Sequence, residues 1–133
     1  MIVLDTNIVS AVLRLESAVT DRLLSYPPGD VVVPTPVLAE IEFGLQRLPP
    51  SSRRRHLLAA ELASLLRLVR VEPWSQAAAV QFGQVKAELE ALGTPIEDMD
   101  VAIASCALTL GAALVTRNVR HFERVPNLAI ERW

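Results

Sequence analysis

The sequence predicts an α/β fold, with helices covering a central, mostly parallel sheet of four or five strands. Three observations predict it. Short apolar runs alternate with helical patterns along the chain. Those runs are near-continuous in Val, Ile and Leu, as in parallel strands buried on both faces, and do not alternate with polar residues. The chain has 133 residues, which fits one domain over 1–133 with a sizeable core.

Met1-Ile2-Val3-Leu4-Asp5 reads as the first strand. Val31-Val32-Val33 is the second, after the turn signal Pro27-Pro28-Gly29-Asp30. Thr35 then offers a cap, with Pro36 at the first helical position, and a helix runs to about Arg47 before Pro49-Pro50. Leu58, Leu62, Leu65, Leu66 and Val69 recur at helical spacing. Leu68 to Val71 is an expected edge strand. Ala78, Phe82, Val85, Leu89 and Leu92 mark another helix, ending at Gly93. Val101 to Leu110 is apolar on nearly all sides, so that helix is expected to be buried, with Asp100 at its start and Gly111 stopping it. Ala112 to Thr116 is the third main strand, and Leu128 to Ile130 a second edge strand.

Hydrophobic residues make up 51% and charged residues 21%, which excludes a disordered chain. No apolar stretch reaches the ~18 residues of a membrane span, so no membrane association is expected. No basic region precedes the first apolar run, so a secretory signal is not expected either. The single cysteine, Cys106, excludes an internal disulfide framework and suits a reducing, cytoplasmic setting. Its small-residue helical context reads as inert packing. A net charge of −2 excludes binding nucleic acid by bulk charge. Local basic rims remain, at Arg53-Arg54-Arg55-His56 and at Arg117, Arg120, His121 and Arg124. Each reads equally as a solvated face.

Acidic residues fall where strands end. Asp5 closes the first strand, where ligands bind in open parallel sheets. Its competing role is an Asx-type cap, which Thr6 and Asn7 could also supply. Glu40 lies about a turn and a half past Thr35 and flanks the stripe of Leu38, Ile41 and Leu45. A surface glutamate is its alternative. Asp100 could simply offset the helix dipole, but Glu97 and Asp98 are placed for that task too. Carboxylates meeting at a partly buried edge repel one another. Either one is protonated, or a cation sits among them. An all-oxygen set points to Mg²⁺ or Mn²⁺ and away from zinc. Neither His56 nor His121 has metal-ligand spacing to these acids, and neither is expected to be a ligand. Mg²⁺ held by few carboxylates takes phosphate oxygens as further ligands, so phosphodiester hydrolysis is the natural reaction class.

A resemblance adds to this reading. Leu4-Asp5-Thr6-Asn7, Leu38-Ala39-Glu40-Ile41 with Gly44, and Gly93-Thr94-Pro95-Ile96 leading into Asp100 occur in order. Ala102-Ile103-Ala104, Val115-Thr116-Arg117-Asn118, Phe122-Glu123-Arg124-Val125-Pro126 and Trp133 follow. In that order and spacing they resemble the VapC-type toxins, small ribonucleases of the PIN-domain superfamily. The resemblance implies a PIN-like three-layer α/β/α sandwich and a Mg²⁺-dependent endoribonuclease in which Mn²⁺ can substitute. It places Asp5, Glu40 and Asp100 at the family's acidic positions. A fourth acid follows the third strand in many PIN domains, where this chain has Asn118, which adds no charge to a second metal site. By this reading Asp5 and Asp100 bind the metal most directly, and Glu40 completes the site through the metal or a bound water. Asn118 orients water or substrate. Thr6 and Thr116 supply hydroxyl hydrogen bonds, and Arg117 with Arg53 to Arg55 contacts RNA phosphates.

The resemblance further implies a type II toxin that forms a homodimer and is held inactive by a VapB-type antitoxin, in a higher heteromeric assembly. The RNA substrate is then structured: a tRNA or a ribosomal RNA loop. The Gly-Thr-Pro-Ile and Arg-His-Phe-Glu-Arg-Val-Pro segments look like those of members that cut initiator tRNA. The faces of the helices around Leu58 to Val69 and Ala78 to Leu92 are candidates for partner contact as well as core. Two other readings stand beside this one. A catalytically silent PIN module would bind RNA or protein without metal-dependent cleavage. An aspartyl-nucleophile phosphatase, resembling the haloacid dehalogenases, would need a second aspartate two residues after the first, and position 7 is Asn.

Overall fold

Twelve elements make up the fold of the computed structural model, which describes all residues from Met1 to Trp133. In order they are β1 (Ile2–Leu4), α1 (Thr6–Leu13), α2 (Ser17–Leu24), β2 (Val31–Pro34), α3 (Thr35–Gln46) and α4 (Arg53–Leu66). Then come β3 (Arg70–Glu72), α5 (Gln76–Ala91), α6 (Asp98–Leu110), β4 (Ala113–Val115), α7 (Val119–Phe122) and β5 (Ile130–Glu131).

The five strands form one sheet in the order β3-β2-β1-β4-β5, and every pairing is parallel. Ile2 lies opposite Val31 on one side and Ala113 on the other, and Leu4 opposite Val115. The expectation of a parallel sheet flanked by helices therefore holds, with five strands. β1 is central and, like β2, is wholly buried, which is why its sequence is apolar without alternation. The chain leaves β1 towards β2 and β3, then crosses back to β4 on the opposite side. The sheet order thus reverses between β1 and β4, and a crevice opens outside the carboxyl ends of those two strands.

The core runs through β1, β2, β4 and the inner faces of α1, α3 and α6, with Phe122 of α7 and Val125 closing one end. α6 is buried at every position from Val101 to Ala107, as its all-round apolar sequence predicts. The buried Ser105 hydroxyl is satisfied by donating to the Val101 carbonyl at 2.6 Å. Cys106 is buried too, and burial pushes its thiol up to about 11, so it is no nucleophile at neutral pH. Gly111 ends α6 at φ +61°, a left-handed C-terminus that glycine adopts without steric penalty. No helix is long and apolar enough to cross a membrane.

Some local expectations shift. Thr35 does not cap α3. Pro34 occupies the cap position, and the Thr35 hydroxyl accepts from the Trp74 backbone N–H at 3.0 Å, tying α3 to the segment after β3. The first edge strand is Arg70–Glu72, not Leu68–Val71, because the Leu68 and Val69 N–H groups fold back onto the Leu65 carbonyl. The second is Ile130–Glu131. Asn127 turns with φ +61° and Leu128 still bonds back to Val125, so pairing starts later than Leu128. α2 and α7 carry too few apolar residues over too short a length to read from periodicity.

Candidate functional site

Asp5 is the residue at which β1 becomes α1, and it is only 4% exposed. Its two oxygens do different work. Oδ1 accepts from the Thr6 backbone N–H at 2.7 Å, so Asp5 does cap α1. Oδ2 accepts from Asn7 Nδ2 at 2.8 Å and from the Thr116 hydroxyl at 2.6 Å. The capping role that the sequence offers Asp5 is present and uses one oxygen only. Burial pushes the Asp5 carboxyl above its ordinary range, opposed by the bonds from Thr116 and Thr6, and the charges of Asp100 and Glu40 push it further up.

The end of β4 is stitched to the end of β1 at the crevice. Thr116 is fully buried, and its oxygen also accepts the Asn118 N–H at 2.9 Å. The Arg117 N–H donates to Asn7 Oδ1 at 3.1 Å. This is why Asp5-Thr6-Asn7 occurs as a unit: Asp5 faces the site, Thr6 begins the helix, and Asn7 bridges to the neighbouring strand.

Glu40 reaches the same place from α3, where its carboxylate accepts a short hydrogen bond from the Thr6 hydroxyl. Asp100, the third residue of α6, arrives from the other side. Its carboxylate lies 3.1 Å from Nδ1 of His121, and the same nitrogen lies 2.8 Å from the Asn118 amide. Protonated, Nδ1 donates to Asp100; unprotonated, it accepts from Asn118. Two arms thus meet at Asp5: Thr6 and Glu40 on one, Thr116, Asn118, His121 and Asp100 on the other. Of the acids that compete with Asp100, Glu97 makes no side-chain capping bond, and Asp98 pairs with Lys86 at 2.8 Å.

Sequence reasoning misses two members of this arrangement. His121 reads from sequence only as part of a basic rim, and it has no metal-ligand spacing. It sits three residues from Asn118, on one face of α7, and holds Asp100 instead. Asn7 reads from sequence as a possible cap and as part of the Leu4-Asp5-Thr6-Asn7 motif, with no bridging role assigned to it. The basic residues divide. Arg54 borders, with Thr6, Glu40, Ser10, Arg14 and Leu58, a cleft of about 320 Å³. Arg55 is turned away to Gln46 and the Leu48 carbonyl. Arg117 carries an ion pair with Glu16, Nη2 to Oε2 at 2.5 Å, rather than a free guanidinium.

The donor set suits a hard cation. The three acids repel at Asp5, a repulsion that a cation removes. His121 is turned to a carboxylate rather than offered as a ligand. No three histidine, cysteine, aspartate or glutamate side chains converge tightly enough to form a ready-made chelate. Mg²⁺ is commonly held by one or two carboxylates and several waters.

Comparison with known proteins follows the same line. The PIN domain family model matches residues 2–128. Ribonuclease VapC2 of Rickettsia felis is 31% identical over 98% of this chain and 96% of its own. The tRNA(fMet)-specific endonuclease VapC of Shigella flexneri is 30% identical, again over 98% and 96%. Among solved structures, VapBC2 of Rickettsia felis bound to a DNA fragment from its promoter superposes with a TM-score of 0.86 at 27% identity, covering 100% of this chain and 99% of that one.

Proposed function

The chain belongs to the PIN-domain family, among the VapC ribonucleases of toxin–antitoxin systems, and on that premise we propose that it is a Mg²⁺-dependent endoribonuclease toxin, with Mn²⁺ able to substitute. One observation carries this reading: a buried aspartate at the switch point of a parallel sheet, its carboxyl raised by burial and by two further acids.

When bound, the ion supplies an activated water and neutralises charge on the phosphoryl group. Asp5 and Asp100 hold the ion most directly, and Glu40 completes its shell through the ion or a bound water. Thr6 keeps the Glu40 carboxylate turned inward, and Thr116 does the same for Asp5. His121 Nδ1 holds Asp100 when it carries the proton and takes the Asn118 amide when it does not, and Asn118 positions water or substrate. Arg54, beside Glu40, is the best placed of the Arg53–Arg55 group to meet an RNA phosphate. Arg117 contacts the strand on the opposite side of Asp5.

A tRNA is the favoured substrate, and initiator tRNA within that class. Support comes from the stated specificity of the Shigella flexneri relative. A VapB-type antitoxin is the expected partner, since solved neighbours include VapBC complexes, and a heteromeric assembly built on a homodimer is part of the same proposal.

The test is 5′-end mapping of cellular RNA treated with wild-type protein or with Asp5→Asn, each with Mg²⁺ and with EDTA. New 5′ ends are expected from the wild type with metal only. Undiminished cleavage in EDTA, or full activity of Asp5→Asn, overturns the reading.

A further inference from the structure

Glu16 lies in the link between α1 and α2, just after Leu15, whose φ of +59° turns the chain sharply. Its carboxylate takes two guanidinium groups from different parts of the fold. Arg14 reaches Oε1 at 3.1 Å, and Arg117 reaches Oε2 at 2.5 Å and Oε1 at 3.5 Å. Two arginines around one carboxylate form the geometry that also clamps a phosphodiester, because guanidinium forks match either oxyanion.

The fork also has a defined position. Arg117 is anchored through its N–H to Asn7, which bonds Asp5 in turn. Arg14 lines the cleft that Thr6, Glu40 and Arg54 line. A cationic track therefore runs from Arg54 past Arg14 to Arg117, alongside the acidic centre. In a chain of net charge −2, this track is a local exception to the overall balance.

We propose that Arg14 and Arg117 form a binding site for a backbone phosphate of the RNA strand next to the scissile one, and that Glu16 occupies this site in the free protein as an internal stand-in for that phosphate. The inference rests on the ribonuclease reading above. Substrate binding exchanges one oxyanion for another: the Glu16 ion pairs break, phosphate ion pairs form, and no covalent bond changes. All three side chains are partly exposed, so the exchange needs no opening of the core. Glu16 then costs RNA affinity and rejects weakly bound strands that cannot displace it.

Binding is read with a short fluorescent single-stranded oligoribonucleotide in EDTA, so that the strand is bound and not cut, over a salt series. Glu16→Gln is expected to bind about threefold to tenfold tighter than wild type, the scale of two exposed ion pairs lost as competitors. Its affinity should also fall more steeply with salt. Arg14→Gln with Arg117→Gln should weaken binding and flatten that slope. With metal restored, the Glu16→Gln gain should appear in KM. A merely structural Glu16 would lower Tm and leave affinity and slope unmoved, and that result overturns the inference. Tighter binding of an acidic protein partner, with RNA affinity unchanged, overturns it too. If wild type cleaves RNA but Glu16→Gln binds as wild type does, only this inference falls. If wild type neither binds nor cleaves RNA, the ribonuclease reading falls with it.

Discussion

The Thr116 hydroxyl donates to Oδ2 of Asp5 at 2.6 Å across 111 positions of sequence, inside the core, where neither residue is more than 4% exposed. This bond joins the ends of the two strands at the switch point. It also opposes the burial that raises the Asp5 carboxyl. Thr116 thereby keeps a buried acid ready to hold charge near neutral pH.

Thr116→Val keeps the shape and removes the hydroxyl. It leaves the Asn118 N–H without its acceptor and Asp5 without its strongest lowering bond. Urea melting should show a loss of about 1–3 kcal/mol. The Asp5 carboxyl rises further, so the acid limb of the pH–rate profile should move to higher pH. An unmoved limb would assign Thr116 to packing alone.

Mg²⁺ should stabilise the wild-type fold and leave Asp5→Asn unaffected, because a ligand bound only by the native state raises Tm by mass action. In EDTA the charge of Asp5 acts against the fold. The Asp5 pKa is raised above the ordinary 3.8, so the unfolded chain loses its proton first as pH rises. Stability is therefore lost as pH climbs through and beyond 3.8 towards the folded value, and the penalty is full above it. The neutral amide of Asp5→Asn carries no such penalty. Thermal shift at neutral pH, with and without metal, checks both halves without an activity assay.

His121→Ala removes the side chain whose Nδ1 bonds either Asp100 or Asn118. Groups that orient metal ligands are worth about 10–100-fold in affinity or activity. Mn²⁺ affinity by calorimetry and RNA cleavage should both fall within that range, with the circular dichroism unchanged. Wild-type metal affinity in this variant would limit His121 to a surface contact.

Glu131 ties the last strand down. Trp133 Nε1 at 2.9 Å, the Tyr26 hydroxyl at 3.2 Å and Arg22 at 2.9 Å all bond its carboxylate. The Trp133 bond, followed by those from Tyr26 and Arg22, holds its pKa below the ordinary 4.5. The resulting stability is present above pH 4.5 and is lost as pH falls through the folded value. Glu131→Gln should flatten the acid limb of the stability profile while changing little at low pH. A parallel profile for the variant would remove Glu131 as a source of acid sensitivity.

The buried strands and the α6 helix are legible because continuous burial imposes continuous apolarity, as in Val31-Val32-Val33 and Val101 to Ala107. The edge strands start two residues later than their apolar runs suggest, since Arg70–Glu72 and Ile130–Glu131 are only partly covered and carry no such pattern. Helix α2 escapes a reading by pattern for the same reason, with only Val19 and Leu23 buried.

By itself the sequence determined that Asp5 closes a strand, that Glu40 lies in the second turn of a helix and that Asp100 lies in the first turn of another, because strand ends and helix starts are local features that local residues encode. Which oxygen of Asp5 caps and which faces Thr116 was decided only by the tertiary fold. So was the turning of His121 towards Asp100 and the capture of Arg117 by Glu16. Those relationships join residues 21, 101 and 111 positions apart, through a sheet order that reverses between β1 and β4. No window of sequence spans that reversal, and only packing of the whole chain brings the partners within hydrogen-bonding distance.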